Sequence, residues 1–334
     1  MLSLTILCQY LVGDLGLEGQ DLIDITASAI LGFSGVGIQP DVQNNSKVVP
    51  SDFGEDIMEE LRVLGFDRAD GADFMDHLPP SEFALRRDLR TELVITVDPT
   101  TSQDFDDALH VKACDGGFEV GIHIADVSYF VRPGSKLDKE AQLRCATTYL
   151  QGFNVPMLPH LLSTNLCSLN PGVDRLAFSV IVYMRPDGTV DDQRTWFGRT
   201  IISNKCRMDY QTAQGIIDGT VISTKWPPQY PLCNSHGTAF TSSDVITSIK
   251  TLKDLAFELQ KMGKKTEFGD KYLEFVKDPE TKLPIAFEWR NIKWFSQILI
   301  EMFMVLANAA GMIVFFWLRC VSCITAQFNF IIPM

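Results

Sequence analysis

Basic side chains are scarce in this chain. Lys and Arg number 29 against 42 Asp and Glu, and the net charge of −13 argues against a broadly basic surface of the kind that coats nucleic acid. A narrow basic channel stays open as a reading. Close cysteine pairs are also missing: the eight cysteines are scattered, and only Cys320 and Cys323 are near neighbours, with no second pair and no His ligands beside them. That disfavours a zinc site or disulfide framework and leads to an expectation of reduced, cytosolic thiols. The opening stretch MLSLTILCQYLVGDLG lacks a basic lead and a small-residue cleavage signature, so a signal peptide fits poorly. There is no internal repeat.

What the chain has is enough apolar material for a sizeable core. At 334 residues, 46% apolar and 21% charged, it suits one large domain or two ordinary ones. Met302 to Leu318 carries no charge and has about the minimum length for a membrane span. Upstream, SDFGEDIMEELRVLGF predicts a helix with Ser51 or Asp52 as its cap and Ile57, Leu61 and Leu64 at helical spacing. HLPPSEF at 77–83 reads as a connector. Strands are expected at 93–97 and 108–113, then after the CDGG turn through FEVGIHIADVSYFV. SKLDKEAQLRCATTYL predicts a helix capped by Ser135, with Ala141, Cys145 and Thr148 on one face. Two strands flank the turn RPDG. Residues 218–245 read as loop and 247–262 as helix. The body from about residue 85 is thus α+β or mixed α/β.

Between the first two strands, DPTTSQDFDDAL sets Asp98, Asp104, Asp106 and Asp107 within ten positions. Like charges this close repel and raise one another's pKa. An EF-hand loop fails, because its Gly position would be Leu109 and its flanks are strands rather than helices. A solvated acidic turn is the bland alternative. Against it, a carboxylate followed after five residues by three more in four positions can converge from both sides of a turn. That arrangement suits Mg²⁺ or Mn²⁺, which take hard oxygen ligands and bind substrate phosphates.

DPTTSQDFDDAL is followed in order by GIHIADVSYFV, GSKLDKEA, TTYLQGFNVPMLP and LCSLNPGVDRLAFSV. Together these segments closely resemble the catalytic domain of the RNase II (RNB) superfamily of 3′→5′ exoribonucleases, over about residues 80–308. RRDLR and WFGRTII are similar to its eukaryotic cytoplasmic and exosome-linked branches. The resemblance implies an α+β fold, a mixed sheet with flanking helices, here incomplete. It also implies a hydrolase that uses Mg²⁺ or Mn²⁺ to remove nucleoside 5′-monophosphates from single-stranded RNA, in the cytoplasm or nucleus, with exosome association in a full-length protein. By position, Asp98, Asp104, Asp106 and Asp107 match the four metal-site aspartates, and Asp106 matches the one whose loss catalysis tolerates least. Tyr149 matches a tyrosine that contacts the 3′-terminal nucleotides, and Tyr210 one that lines the catalytic cavity. Glu301 matches the first of two adjacent catalytic-site acids, while Met302 stands where the second belongs.

Other residues read more plainly. His123 and Asp126 suit structural hydrogen bonding, and Pro156 and Pro159 suit fixing the turn before them. Arg86, Arg87 and Arg90 fit RNA phosphates and an ordinary solvated face equally well. The similarity ends after Ala309, short of the family's active-site arginine and its S1 barrel. The expected organisation is a possible cold-shock (OB-type) remnant at 1–45, a linker and helix at 46–84, the RNB portion at 85–309, and an unrelated hydrophobic tail at 310–334, with no membrane partner. The competing reading is a catalytically silent RNA-binding relative or a non-functional fragment.

Overall fold

The computed structural model describes residues 52–66, 74–149, 154–262, 271–277, 284–291 and 294–318. The expected remnant at 1–45, Ser51, the Cys320–Cys323 pair and residues 319–334 lie outside them. The helices are α1 (Glu55–Val63), α2 (Pro80–Ala84), α3 (Val127–Phe130), α4 (Lys136–Arg144), α5 (Tyr210–Ile217), α6 (Ser242–Lys261) and α7 (Phe295–Leu318). The strands are β1 (Arg87–Asp88), β2 (Val94–Asp98), β3 (Asp107–Cys114), β4 (Gly117–Ala125), β5 (Thr148–Tyr149), β6 (Asn154–Val155), β7 (Asp174–Met184), β8 (Val190–Asp209), β9 (Lys271–Lys277) and β10 (Pro284–Asn291). They divide into two compact units, one made of residues up to 74 with 127–166, the other of 75–126 with 167 onward.

In the first unit, α1 buries Ile57 and Leu61, the i, i+4 pair of an amphipathic helix. Its cap differs from expectation: Gly54 precedes it without a side-chain hydrogen bond, and Glu55 and Asp56 instead complement the helix dipole. Ser135 does cap α4, accepting the Asp138 N–H at 3.0 Å. That helix stops at Arg144, short of the expected Thr148. Cys145 takes a φ of +60°, and buried Arg144 turns inward to bond Glu140 and the carbonyls of Pro156 and Asp52. Thr148 and Tyr149 pair instead with β6. The FEVGIHIADVSYFV stretch also divides: its strand ends at Ala125, and Val127–Phe130 is a helical turn whose Phe130 packs on Phe66 and Phe74.

The second unit holds a six-stranded sheet in the order β1-β8-β2-β3-β4-β7. β8 pairs antiparallel with β7 over its first part and parallel with β2 over its last, so the sheet curls round on itself. It is the mixed sheet expected. Alternation along the strands gives it two unlike faces. Ile95, Leu109, Val120, Ile122, Val180, Val182 and Met208 form one, packed against α5, α6 and α7 through Ile216, Val245, Ile249, Leu252, Leu299 and Phe303. The other face is polar. There His110, His123, Ser179 and Thr200, all buried, link side chain to side chain across four strands at 2.8, 2.7 and 2.6 Å. His123 is therefore structural, as expected, and burial holds its imidazole well below the usual histidine range.

Asp126 is structural too. It takes a 2.6 Å ion pair from Arg86, which also bonds Glu82. Arg86 is buried and thus committed to the fold rather than to RNA. Arg90 is likewise occupied, by Asp88 and Asp174; Arg87 alone of the three stays without an ion pair among the described residues. The uncharged run from Met302 joins α7, where Met302, Phe303, Leu306 and Ala307 are core residues. No helix among the described residues is long and apolar enough to cross a membrane.

Candidate active site

Four acidic residues lie where β2 ends and β3 begins. Asp98 is the last residue of β2 and Asp107 the first of β3. The loop between them would be free to splay, but Phe105 pins its middle. Phe105 is buried; its N–H donates to Ser168 Oγ at 3.0 Å, and its carbonyl accepts the Leu169 N–H at 2.8 Å. With Phe105 anchored, Asp104 and Asp106 are held on either side of it. The Asp106 carbonyl accepts the Ala125 N–H at 2.9 Å, which fixes the start of β3 against β4. Arg207 of β8 closes the other side, donating to the carbonyls of Thr100 and Ser102 at 3.2 Å each and lying over the Phe105 ring.

The electrostatics follow from this crowding. Asp98 is 9% exposed, and its Oδ2 is buried without a hydrogen-bond partner. Burial, then the charges of Asp107 and Asp106, push its pKa up to about 8, with Arg207 opposing. Burial and Asp106 push Asp107 up to about 7, and burial and Asp104 push Asp106 up to about 6. Asp106 keeps an exposed surface, so solvent screens part of that last effect; Asp98 carries the strongest case for an upward shift. One cation, Arg207, acts on Asp98 against three acids.

Tyr210 opens α5 directly after β8. Its phenol is partly buried and raised above its ordinary value by burial and by the charges of Asp107 and Asp98, so it belongs to the same electrostatic site. Sequence reasoning missed a fifth carboxylate, Asp209, opposite Asp98 in the β2–β8 pairing. It is already employed: it accepts the Thr212 N–H at 2.7 Å as the cap of α5 and the Thr100 hydroxyl at 3.1 Å. Burial works to raise it, but these hydrogen bonds and one from Tyr230 hold it below the usual carboxylate range. The Asp-Tyr-Gln-Thr order was the available signal, an Asx cap three residues before the N–H that donates to it.

Glu301 is half-buried on α7. That helix is fixed to α5 by Ser296, whose hydroxyl donates to the Tyr210 carbonyl at 2.8 Å and whose N–H donates to Gln214 at 3.1 Å. Met302, in the position of the second expected acid, is fully buried. Tyr149 lies on β5 in the other unit, and its side chain is outside the described residues.

Among the described residues no three His, Cys, Asp or Glu side chains close around one point as a ready cage. Mg²⁺ does not require one: it keeps several waters and needs only one or two carboxylates plus substrate phosphates. An orphaned buried carboxylate oxygen among mutually repelling hard donors fits such an ion.

A profile of the RNB domain matches residues 86–314. DIS3-like exonuclease 2 of Schizosaccharomyces pombe is 43% identical over 244 residues, 69% of this chain and 25% of that protein. A protein of Arabidopsis thaliana named Inactive exonuclease DIS3L2 is also 43% identical, over 69% of this chain and 21% of its own length. The structure of Mycoplasma genitalium RNase R in complex with ribose-methylated single-stranded RNA superposes with a TM-score of 0.66 at 24% identity, covering 88% of this chain and 40% of that one. The chain thus spans about a quarter of the length of the curated relatives it matches.

Proposed function

Since the chain belongs to the RNB family, we propose that it carries the catalytic portion of a 3′→5′ exoribonuclease that hydrolyses single-stranded RNA to nucleoside 5′-monophosphates. One observation supports this reading above the others: the buried, unpartnered Asp98 Oδ2 in a cluster of four aspartates. A folded protein that retains such repulsion with one arginine against several acids is built for a cation that arrives from outside. Asp98, Asp104, Asp106 and Asp107 are the residues that would hold Mg²⁺ or Mn²⁺. When bound, such an ion neutralises phosphate charge and lowers the pKa of water.

The chain's own groups divide the remaining work. Phe105 and Arg207 hold the acidic loop in shape, which limits reorganisation during the reaction. Asp106, immediately before β3 and raised to about 6 by burial and Asp104, is the carboxylate whose loss is expected to cost most. The Tyr210 phenol keeps its proton at neutral pH, since burial and two acids raise it, and it donates to an RNA oxygen. Tyr149 is the proposed stacking contact for the 3′-terminal bases. The free state of the described cysteines suits a reducing, cytoplasmic setting.

A second reading has specific support. Met302 is a core residue where the resemblance called for a second acid, and a relative at 43% identity is named inactive; a silent RNA binder would share this site. The two readings separate on a 5′-labelled single-stranded RNA incubated with Mg²⁺. Hydrolysis gives a ladder that shortens from the 3′ end, and Asp106→Asn slows it about a hundredfold or more. Binding without a ladder from folded wild-type protein establishes the silent relative instead.

A further inference from the structure

On the polar face of the sheet, two arginines lie over aromatic rings and form no ion pair. The Arg87 guanidinium sits 5.3 Å from the centroid of the Trp196 ring, and that of Arg194 sits 3.5 Å from the Tyr183 ring. Both arginines are exposed, and neither forms an ion pair among the described residues. The rings themselves are well seated. Trp196 lies flat over Gly198, where a Cβ would approach within 2.6 and 2.7 Å of the indole, and the Tyr183 hydroxyl donates to the Asp115 carbonyl.

The backbone supports the arrangement. Trp196 pairs with Ile181 and Asp191 with Tyr183, so β8 bulges over 192–195, and bulges re-aim side chains. Arg194 is carried by that bulge. The two rings are anchored on neighbouring strands, Trp196 being paired with Ile181, two residues before Tyr183 on β7. A cation over a ring uses the face of its guanidinium and leaves the N–H edges unspent, and those edges match a phosphate bidentately. The counter-charge is Glu119, on which His110, Arg87 and Lys112 all act.

We propose that Arg87 and Arg194, held by Trp196 and Tyr183, form a phosphate-binding ledge for single-stranded RNA separate from the aspartate cluster. In a chain of net charge −13, two exposed guanidiniums on one face, each held over a ring and without an ion pair among the described residues, favour a polyanion over a protein partner. The ledge rests on the RNA-hydrolase reading above and extends it from the scissile end to the body of the strand.

The test is binding of a fluorescent oligouridylate in chelator, measured by anisotropy across a salt series for wild type, Arg87→Ala, Arg194→Ala and the double variant. Each lost phosphate contact lowers the slope of log K against log salt by about 0.7. The double variant is expected to weaken binding about tenfold at low salt, while Arg194→Lys keeps most of the slope. Wild-type binding with unchanged slope and affinity in the double variant overturns the ledge and leaves the hydrolase reading standing. No binding by folded wild type overturns both. A thermal melt of each variant separates lost contacts from lost folding.

Discussion

A buried carboxylate oxygen without a partner costs a protein stability, and Asp98 Oδ2 is one. The cost has a definite dependence on pH. Asp98 titrates near 8 in the folded chain against an ordinary 3.8, so between those values the folded state binds more protons than the unfolded one. Stability in the absence of metal therefore falls as pH rises from about 4 to about 8. Asp98→Asn removes the charge and keeps the shape. In chelator at pH 8 it is expected to be more stable than wild type by about 2 kcal/mol, with the gap closing towards pH 4. Urea melts at the two pH values check this; an equal or less stable variant at pH 8 would mean that the carboxylate is already satisfied. Metal binding has the opposite sign, because ligands must lose their protons first, so its affinity rises over the same interval.

At the scale of elements, the site depends on strands and helices held by contacts far from the chemistry. Gly121 of β4 lies under the His110 ring, with which an added Cβ would collide. Gly121→Ala is predicted to cost about 2–3 kcal/mol, read as a lower melting temperature, and to loosen β3, the strand that begins with Asp107. Ser296→Ala removes the tie from α7 to the Tyr210 carbonyl and is predicted to cost about 1 kcal/mol. Element identity was largely legible in the sequence: β2, β3, the β7–β8 hairpin and the Ser135 cap follow from alternation and cap chemistry. Ends were not. Helix α4 stops early because Arg144 finds acceptors at Pro156 and Asp52, partners that no local pattern reveals. The four aspartates and Tyr210 were visible as a motif, whereas Phe105 and Arg207 were not, because their roles arise from contacts 63 and 107 positions away, with Ser168 and Thr100.

For the molecule as a whole, buried charge is unevenly matched. Among the buried ionic groups, Arg86 is paired with Asp126, while the aspartate cluster is left with a surplus of negative charge. The apolar run in α7 has an equally ordinary explanation, since Met302, Phe303 and Leu306 face the core. The open question for the site is whether a divalent cation answers that surplus. The most direct measurement is a thermal melt of the whole chain at pH 7.5 across a Mn²⁺ or Mg²⁺ series, beside Asp98→Asn and Asp106→Asn. The wild-type melting temperature is expected to rise with metal concentration, with a much smaller rise in both variants. A wild-type melt indifferent to millimolar metal, or a rise of equal size in all three proteins, would contradict this expectation.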